Sequence, residues 1–422
     1  MCLHKLPSVR NEGNANEEKA IYRGSHNNVT MKHLITTILV LLIALPFKAQ
    51  QNASLIDSLQ DVIKTDPSNW KAMSRLAAVY KEQSNTFQTL NYLRMAMKIH
   101  ESDTLKRELA LCYYNRGYYK ESIVLCESIL APDTLEKDLV LLTKSLRKVG
   151  GDATVKLLHY EDVLFDRNPM NWSNTMNLAQ DYISLAASLK DKSLVNVALE
   201  KLEAYTSVDS SNLNINGLKA KALYLANRYE DAIVECHRLI KMGSQSPMTY
   251  YFLGLSYKED FNVWKGIEYL QIACDMTDNA EPTFVTQLGL AQLKVDSLAN
   301  QGIANLNLSV ELQQPDPAAL FSIYYNIGEY YFSHGYRNPA NMRSAIAYYT
   351  KAKDLGKYER QMTHKIIECY HHLNDTKMEL KHLEQYLSLT DDSMEMIYIK
   401  NNIMKLRQEL FMRGELKEQS KR

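Results

Sequence analysis

The chain is predicted to fold as an all-α solenoid of stacked antiparallel helix pairs, and three features of its sequence predict this. The first is a recurring cluster of an apolar residue, a small residue, two further residues and an aromatic, seen in LAAVY (Leu76–Tyr80), LGLSY (Leu253–Tyr257) and IGEYY (Ile327–Tyr331). The second is its period. The small position falls at Ala77, Ala110, Thr143, Ala179, Ala220, Gly254, Gly289, Gly328 and Ile367, with spacings of 33, 33, 36, 41, 34, 35, 39 and 39 residues. Periods of 20–50 residues mark repeat architectures. The third is the absence of strand-like alternation, with only 15 Gly and 10 Pro in 422 residues and no linker between repeats. A compact fold of this length would divide into several domains. A solenoid escapes that limit, because each repeat contacts only its neighbours, so one extended array is expected.

From the N-terminus, residues 1–30 are polar and aperiodic and read as a mis-called extension, expected to be disordered, because Met31 sits where a leader would start. Residues 31–49 hold the one apolar segment. Lys32 and His33 precede an apolar run from Leu34 to Phe47, closed by Pro46 and Lys48. That run is too short for a transmembrane helix, which needs about 20 apolar residues, and reads as a secretory signal peptide cleaved after Ala49. Export to the periplasm, or secretion, follows, with no integral membrane span after cleavage. No cysteine follows the run, so a lipoprotein anchor is not expected.

The solenoid is expected over residues 50–393. Leu55, Leu59, Val62 and Pro67 mark the second helix of a half repeat. In the next unit Leu109, Ala110 and Tyr113 share a face at helical spacing, Gly117 breaks the helix, and Tyr119, Ser122, Cys126 and Ile129 carry the second stripe. Ala220, Leu223, Tyr229, Ala232, Cys236 and Leu239 repeat the arrangement. Small residues at the eighth and twentieth positions let two helix backbones approach, with large apolar residues filling the flanks. The unit around Thr143 lacks the small and aromatic positions, so its boundaries are soft. Extra residues near Ser188–Asn196 and Tyr336–Met342 are expected to lie in turns. Residues 394–422 read as an amphipathic capping helix with Ile397, Ile403, Met404, Leu406, Leu410 and Phe411, followed by a charged tail. A cap should turn a polar outer face to solvent; docking on a partner is the alternative.

These units resemble the tetratricopeptide repeat family. Met248–Asp278 matches its pattern with Tyr250, Leu253, Gly254, Tyr257, Gly266, Leu270 and Ala273, and the unit from Phe321 with Tyr324, Ile327, Gly328, Tyr331, Gly335, Ala345, Tyr349 and Ala352. The long turn of the second unit also resembles the Sel1-like variant, and the short Ala-Gln end of the leader resembles exported Bacteroidetes proteins. The resemblance covers roughly Leu55 to Leu389 and implies a right-handed superhelix of about eight to nine repeats. It also implies a concave groove lined by the second, fifth, ninth, twelfth and thirteenth positions of each first helix. Mapped here, those positions give Arg107, Leu111 and Tyr114; Met176, Gln180 and Ile183; Lys221 and Tyr224; and Tyr251, Leu255 and Lys258. They continue with Leu290 and Leu293; Tyr325, Glu329 and Phe332; and His364, Glu368 and His371. Large side chains on such a face mark an interaction surface. Scattered cations favour an apolar or aromatic-rich peptide over an acidic C-terminus, and ring stacking keeps a glycan open. The other reading of the same face is burial by tight coiling.

No phosphate loop, nucleophile elbow, zinc-protease motif, CxxC pair or EF-hand loop is present, and neither enzymatic activity nor a cofactor is expected. His364, Glu368, His371 and His372 share a helical face; two imidazoles and a carboxylate are zinc ligands, and a solvated polar face is the plainer reading. Lys+Arg and Asp+Glu both number 49, so there is no basic footprint of the kind nucleic-acid binders carry. Past the leader, Cys112, Cys126, Cys236, Cys274 and Cys369 are odd in number and recur at core positions of the repeat. Cys112 and Cys126 lie too far out of step for a disulfide, so free thiols are expected. The sequence thus favours a scaffold that binds a protein or peptide. The rivals are a glycan-binding accessory protein like the SusD-like proteins, and a metal protein or enzyme centred on His364–His372.

Overall fold

The computed structural model describes residue 50 and residues 52–131, 134–312 and 316–415. The proposed leader, the segment before it and the charged tail lie outside the described residues. Within them the chain is all-helical and has no strand. It divides into two compact units, Met1–Leu164 and Phe165–Arg422.

The first unit holds α1 (residues 52–65), α2 (Trp70–Glu82), α3 (Thr86–Ile99), α4 (Asp103–Asn115), α5 (Tyr119–Glu127), α6 (Glu136–Val149) and most of α7 (Thr154–Arg167). α2 pairs with α3, and α4 with α5. Leu142, Leu146 and Leu157 join α6 and α7 in one core cluster. The second unit holds α8 (Trp172–Leu189), α9 (Ser193–Thr206), α10 (Leu213–Leu225), α11 (Tyr229–Lys241), α12 (Pro247–Glu259), α13 (Val263–Asp275) and α14 (Pro282–Gln292). It continues with α15 (Ala299–Leu312), α16 (Pro317–Ser333), α17 (Pro339–Lys353), α18 (Glu359–His372), α19 (Thr376–Ser388) and α20 (Ser393–Met412). There α8/α9, α10/α11, α12/α13, α14/α15, α16/α17 and α18/α19 are pairs, and α20 packs on α19. Eight of the nine small-position residues fall on the first helix of a pair, Thr143 falls on α6, and all nine are buried.

Local chemistry explains where these helices begin and end. Asn69, Asn85, Asn171, Asn212, Asp316 and Asp392 cap N-termini by accepting backbone N–H bonds that the first turn leaves open. Pro247, Pro282 and Pro317 open α12, α14 and α16, where a missing N–H is harmless. Five first helices end on one device. Ser84, Gly117, Asn227, Phe261 and Asn374 take left-handed backbone angles. The next residue's N–H then reaches back to the carbonyl of Tyr80, Tyr113, Leu223, Tyr257 or Tyr370, at 2.8–3.0 Å. Four of the five acceptors are the aromatic of the repeat. Its ring crosses to the second helix: Tyr80 stacks on Tyr92, Tyr257 on Tyr269, Tyr331 on Tyr348 and Tyr370 on His382, with centroids 5.3–5.9 Å apart.

Three expectations change. The extra residues of the Ala179 unit lengthen α8 to 18 residues, leaving a short turn at residues 190–192 rather than an inserted loop. The first helix turns Ile63, not Val62, toward the core. On α20, Ile399, Ile403 and Leu410 are buried, but Ile397, Met404 and Phe411 lie on the opposite side and are exposed among Lys400, Asn401, Lys405 and Gln408, so the outer face is mixed rather than wholly polar. The cysteines match expectation: Cys112, Cys126, Cys236, Cys274 and Cys369 are free and buried. Burial pushes the thiols of Cys126, Cys236, Cys274 and Cys369 up to about 12, which keeps them protonated and unreactive.

Candidate binding surfaces

In the first unit, α4 and α6 frame an open depression of about 660 Å³ lined by Leu111, Tyr114, Asn115, Glu136, Lys137, Val140, Leu141 and Lys144. A smaller hollow of about 210 Å³ adjoins it through Leu111 and Asn115 and reaches Lys81 and Glu108. The apolar floor is half-buried, while Lys137 and Lys144 are exposed and form no ion pair among the described residues. Lys81 is paired with Glu108 at 2.6 Å. Arg107 is committed to Asp138 on α6, its Nε 2.6 Å from Oδ2, and the buried carboxylate raises the guanidinium's already high pKa. Of the residues the sequence singles out here, Tyr114 lines the depression and Arg107 braces one wall. The ones missed are Asn115, Glu136, Leu141, Lys137, Val140 and Lys144. Carrying the repeat positions through Thr143 would have found the last three, but that unit lacks the small and aromatic markers that make a register visible.

The middle of the second unit is closed. α10 touches α12, and α12 touches α14, so the side chains expected in a groove pack on one another. Tyr251 is 8% exposed and stacks on Phe284 at 4.5 Å, and Leu255 is buried beside it. Tyr224 sits against Phe252 and Tyr229, and burial pushes its phenol up to about 12. Lys258 donates to Gln287 at 3.0 Å and pairs with Glu259 at 3.2 Å. Burial lowers the pKa of Lys258 and of Lys221, because desolvation disfavours the charged form. Tyr251 and Leu255 are therefore core residues, out of reach of a ligand in this conformation.

Tyr325, Glu329 and Phe332 form a half-buried patch farther along α16. Glu329 Oε1 accepts from the buried Tyr349 hydroxyl at 2.7 Å and from Lys365 Nζ at 2.9 Å. The Lys365 ammonium lies 5.2 Å from the Phe332 ring centre. Tyr336 and His372 extend the patch, ring to ring at 4.6 Å, and Tyr336 is exposed. The candidate metal cluster is drawn apart. His364 faces Glu368 at 3.6 Å, whereas His371 turns to Glu379 at 3.1 Å. Among the described residues, no group of three or more His, Cys, Asp or Glu is placed to hold an ion, and no helix is long and apolar enough to cross a membrane.

No protein-family model and no curated protein matches the chain. Among solved structures, the human IFIT1 dimer with PPP-AAAA is 16% identical, covering 86% of this chain and 87% of that one with a TM-score of 0.41. Cut9 of the APC/C Cut9–Hcn1 hetero-tetramer is 17% identical over 80% of this chain and 66% of that one, with a TM-score of 0.42. YrrB, described as a TPR protein with an unusual peptide-binding site, is 17% identical over 48% of this chain and 96% of that one, with a TM-score of 0.36.

Proposed function

We propose that the protein is an exported, non-enzymatic scaffold that captures a peptide or protein segment on the inner face of its first helices, in the periplasm or outside the cell. The observation that carries this reading is the depression between α4 and α6. An apolar floor of Leu111, Tyr114, Val140 and Leu141 is bordered by Lys137 and Lys144, which form no ion pair among the described residues, and by the carboxylate of Glu136. Apolar clefts with a few convergent polar groups are the usual form of binding sites. The occupant that fits is an extended segment presenting apolar side chains to the floor and polar groups to the mixed rim of Lys137, Lys144 and Glu136. The export half of the proposal rests on the apolar run in residues 31–49.

A peptide array probed with the full chain tests the reading. Peptides retained by the wild type should be lost, or bind at least tenfold more weakly, with Tyr114→Ala and Lys144→Ala, while the helical circular dichroism signal is unchanged. Binding that ignores both substitutions, or no binding at all, overturns it. A glycan is the second reading, favoured by the exposed Tyr336 edge beside His372 and Phe332; sugar binding abolished by Tyr336→Ala would support it.

A further inference from the structure

The outward face of α20 carries a run of large exposed apolar side chains, interrupted by Asn401 and Gln408. Met394, Ile397, Tyr398, Met404, Phe411 and Met412 are each 46 to 78% exposed, opposite the face that Ile399, Ile403 and Leu410 bury against α19. Together they expose on the order of 700 Å² of apolar surface, above the ~300–600 Å² of the largest patch on a typical monomer and near the ~800 Å² each partner contributes to a standard interface. We infer that this face is covered by the α20 of a second copy of the chain, forming a two-fold antiparallel helix pair.

The spacing of the stripe carries the choice of occupant. Residues 394, 397, 401, 404, 408 and 411 alternate steps of three and four, the seam that two supercoiled helices share. The order of steps is the same from either end. An antiparallel copy therefore sets Met394 against Phe411, Ile397 against Gln408 and Asn401 against Met404 of the second copy. A two-fold axis requires this self-complementarity. Asn401 and Gln408 interrupt the seam opposite Met404 and Ile397 of the second copy, so their amides must turn to its wet edges to keep hydrogen bonds. One edge is like-charged. Lys400 approaches Arg407 of the second copy, and Arg407 is already held by Glu384 of its own chain at 2.6 Å. On the other edge Tyr398 approaches Lys405 of the second copy, a cation–π geometry.

The edge charges make the proposal specific. Salt screens exposed like charges, so this dimer tightens as ionic strength rises, whereas a complex with an acidic helix or an anionic membrane weakens. Sedimentation of the full chain should give twice the chain mass at micromolar concentration, with a dissociation constant that falls severalfold between low and high salt. The Ile397→Glu, Met404→Glu double variant should stay monomeric at tenfold higher concentration with unchanged circular dichroism, since both positions are exposed. Lys400→Glu should tighten the dimer and flatten or reverse its salt dependence. A monomeric wild type, a dimer indifferent to the double substitution, or binding to anionic vesicles lost on that substitution without self-association would overturn the inference.

Discussion

Gly254 and Gly266 face each other across the α12–α13 pair so closely that a Cβ on Gly254 would lie 2.9 Å from the Gly266 carbonyl oxygen and 2.8 Å from the Leu270 nitrogen. Both atoms are backbone, so the clash is relieved only by parting the helices. Replacing a helical glycine by alanine ordinarily stabilises by about 0.5–1 kcal/mol. Gly217 on α10 has open space where its Cβ would go, and Gly217→Ala should raise the urea midpoint accordingly. Gly254→Ala should lower it, and Gly254→Leu should destabilise by about 1–3 kcal/mol. Shifts of the same sign at Gly217 and Gly254 would show that the pair is not in close contact.

Tyr251 belongs to the core, so its truncation should register as lost stability. With Phe284 stacked on it and burial on every side, Tyr251→Ala should cost about 3–5 kcal/mol. Tyr325→Ala, on a half-buried ring, should cost clearly less. Equal and small effects in chemical denaturation would mean that α10, α12 and α14 stand open.

Phe261 should be a site of easy improvement. It is 96% exposed and holds φ at 60° at a position where other pairs place Gly117, Asn227 or Asn374. A bulky residue in the left-handed region is strained by about 1 kcal/mol or more. Phe261→Gly removes that strain and no packing, and should raise the thermal midpoint. A lower midpoint would show that the ring makes contacts in solution that this conformation lacks.

Two histidines give stability a pH dependence. Burial lowers the pKa of His237, whose Nε2 lies 2.9 Å from the Tyr257 hydroxyl, and Lys265 and Lys241 add to the effect. Burial likewise lowers that of His382, stacked on Tyr370, with Lys353 and Lys381 contributing. The unfolded chain therefore binds protons first as pH falls, and stability rises with pH through this window. The contribution is complete above the ordinary value near 6.5 and is lost as pH drops from there toward the lower folded-state values. Denaturation midpoints should fall between about pH 7 and pH 5. They should fall less in the His237→Gln, His382→Gln double variant; an identical slope would assign the effect elsewhere.

The repeat was legible because it rests on steric necessity. Gly254, Gly289 and Gly328 stand where a Cβ would strike the partner helix, and the tyrosine three residues after the small position recurs because its ring and carbonyl both have work at the pair's end. Register, pairing and thiol burial follow from that. The binding surface was less legible, because groove positions read alike whether the array is open or closed. Tyr114 and Tyr224 occupy the same place in their repeats, yet one lines a depression and the other packs on Phe252 and Tyr229 against the core. The difference lies in what the next first helix presents, Lys137 and Lys144 on α6 in one case and Phe252 on α12 in the other, and that depends on residues of more than one repeat. The outer face of α20 was obscured for a related reason: Ile397 and Ile403 both read as apolar cap residues, and only the packing against α19 separates them.

The repeat tyrosines also bear on how the chain folds. Each joins its helix end to a ring only 12 to 17 residues away, as in Tyr80 with Tyr92 and Tyr331 with Tyr348. Closing so short a loop is fast, and topologies dominated by local contacts fold quickly. Any helix pair can therefore serve as a nucleus from which neighbours grow outward. Damage to one tyrosine should slow or loosen its own pair while distant pairs keep their protection against hydrogen exchange.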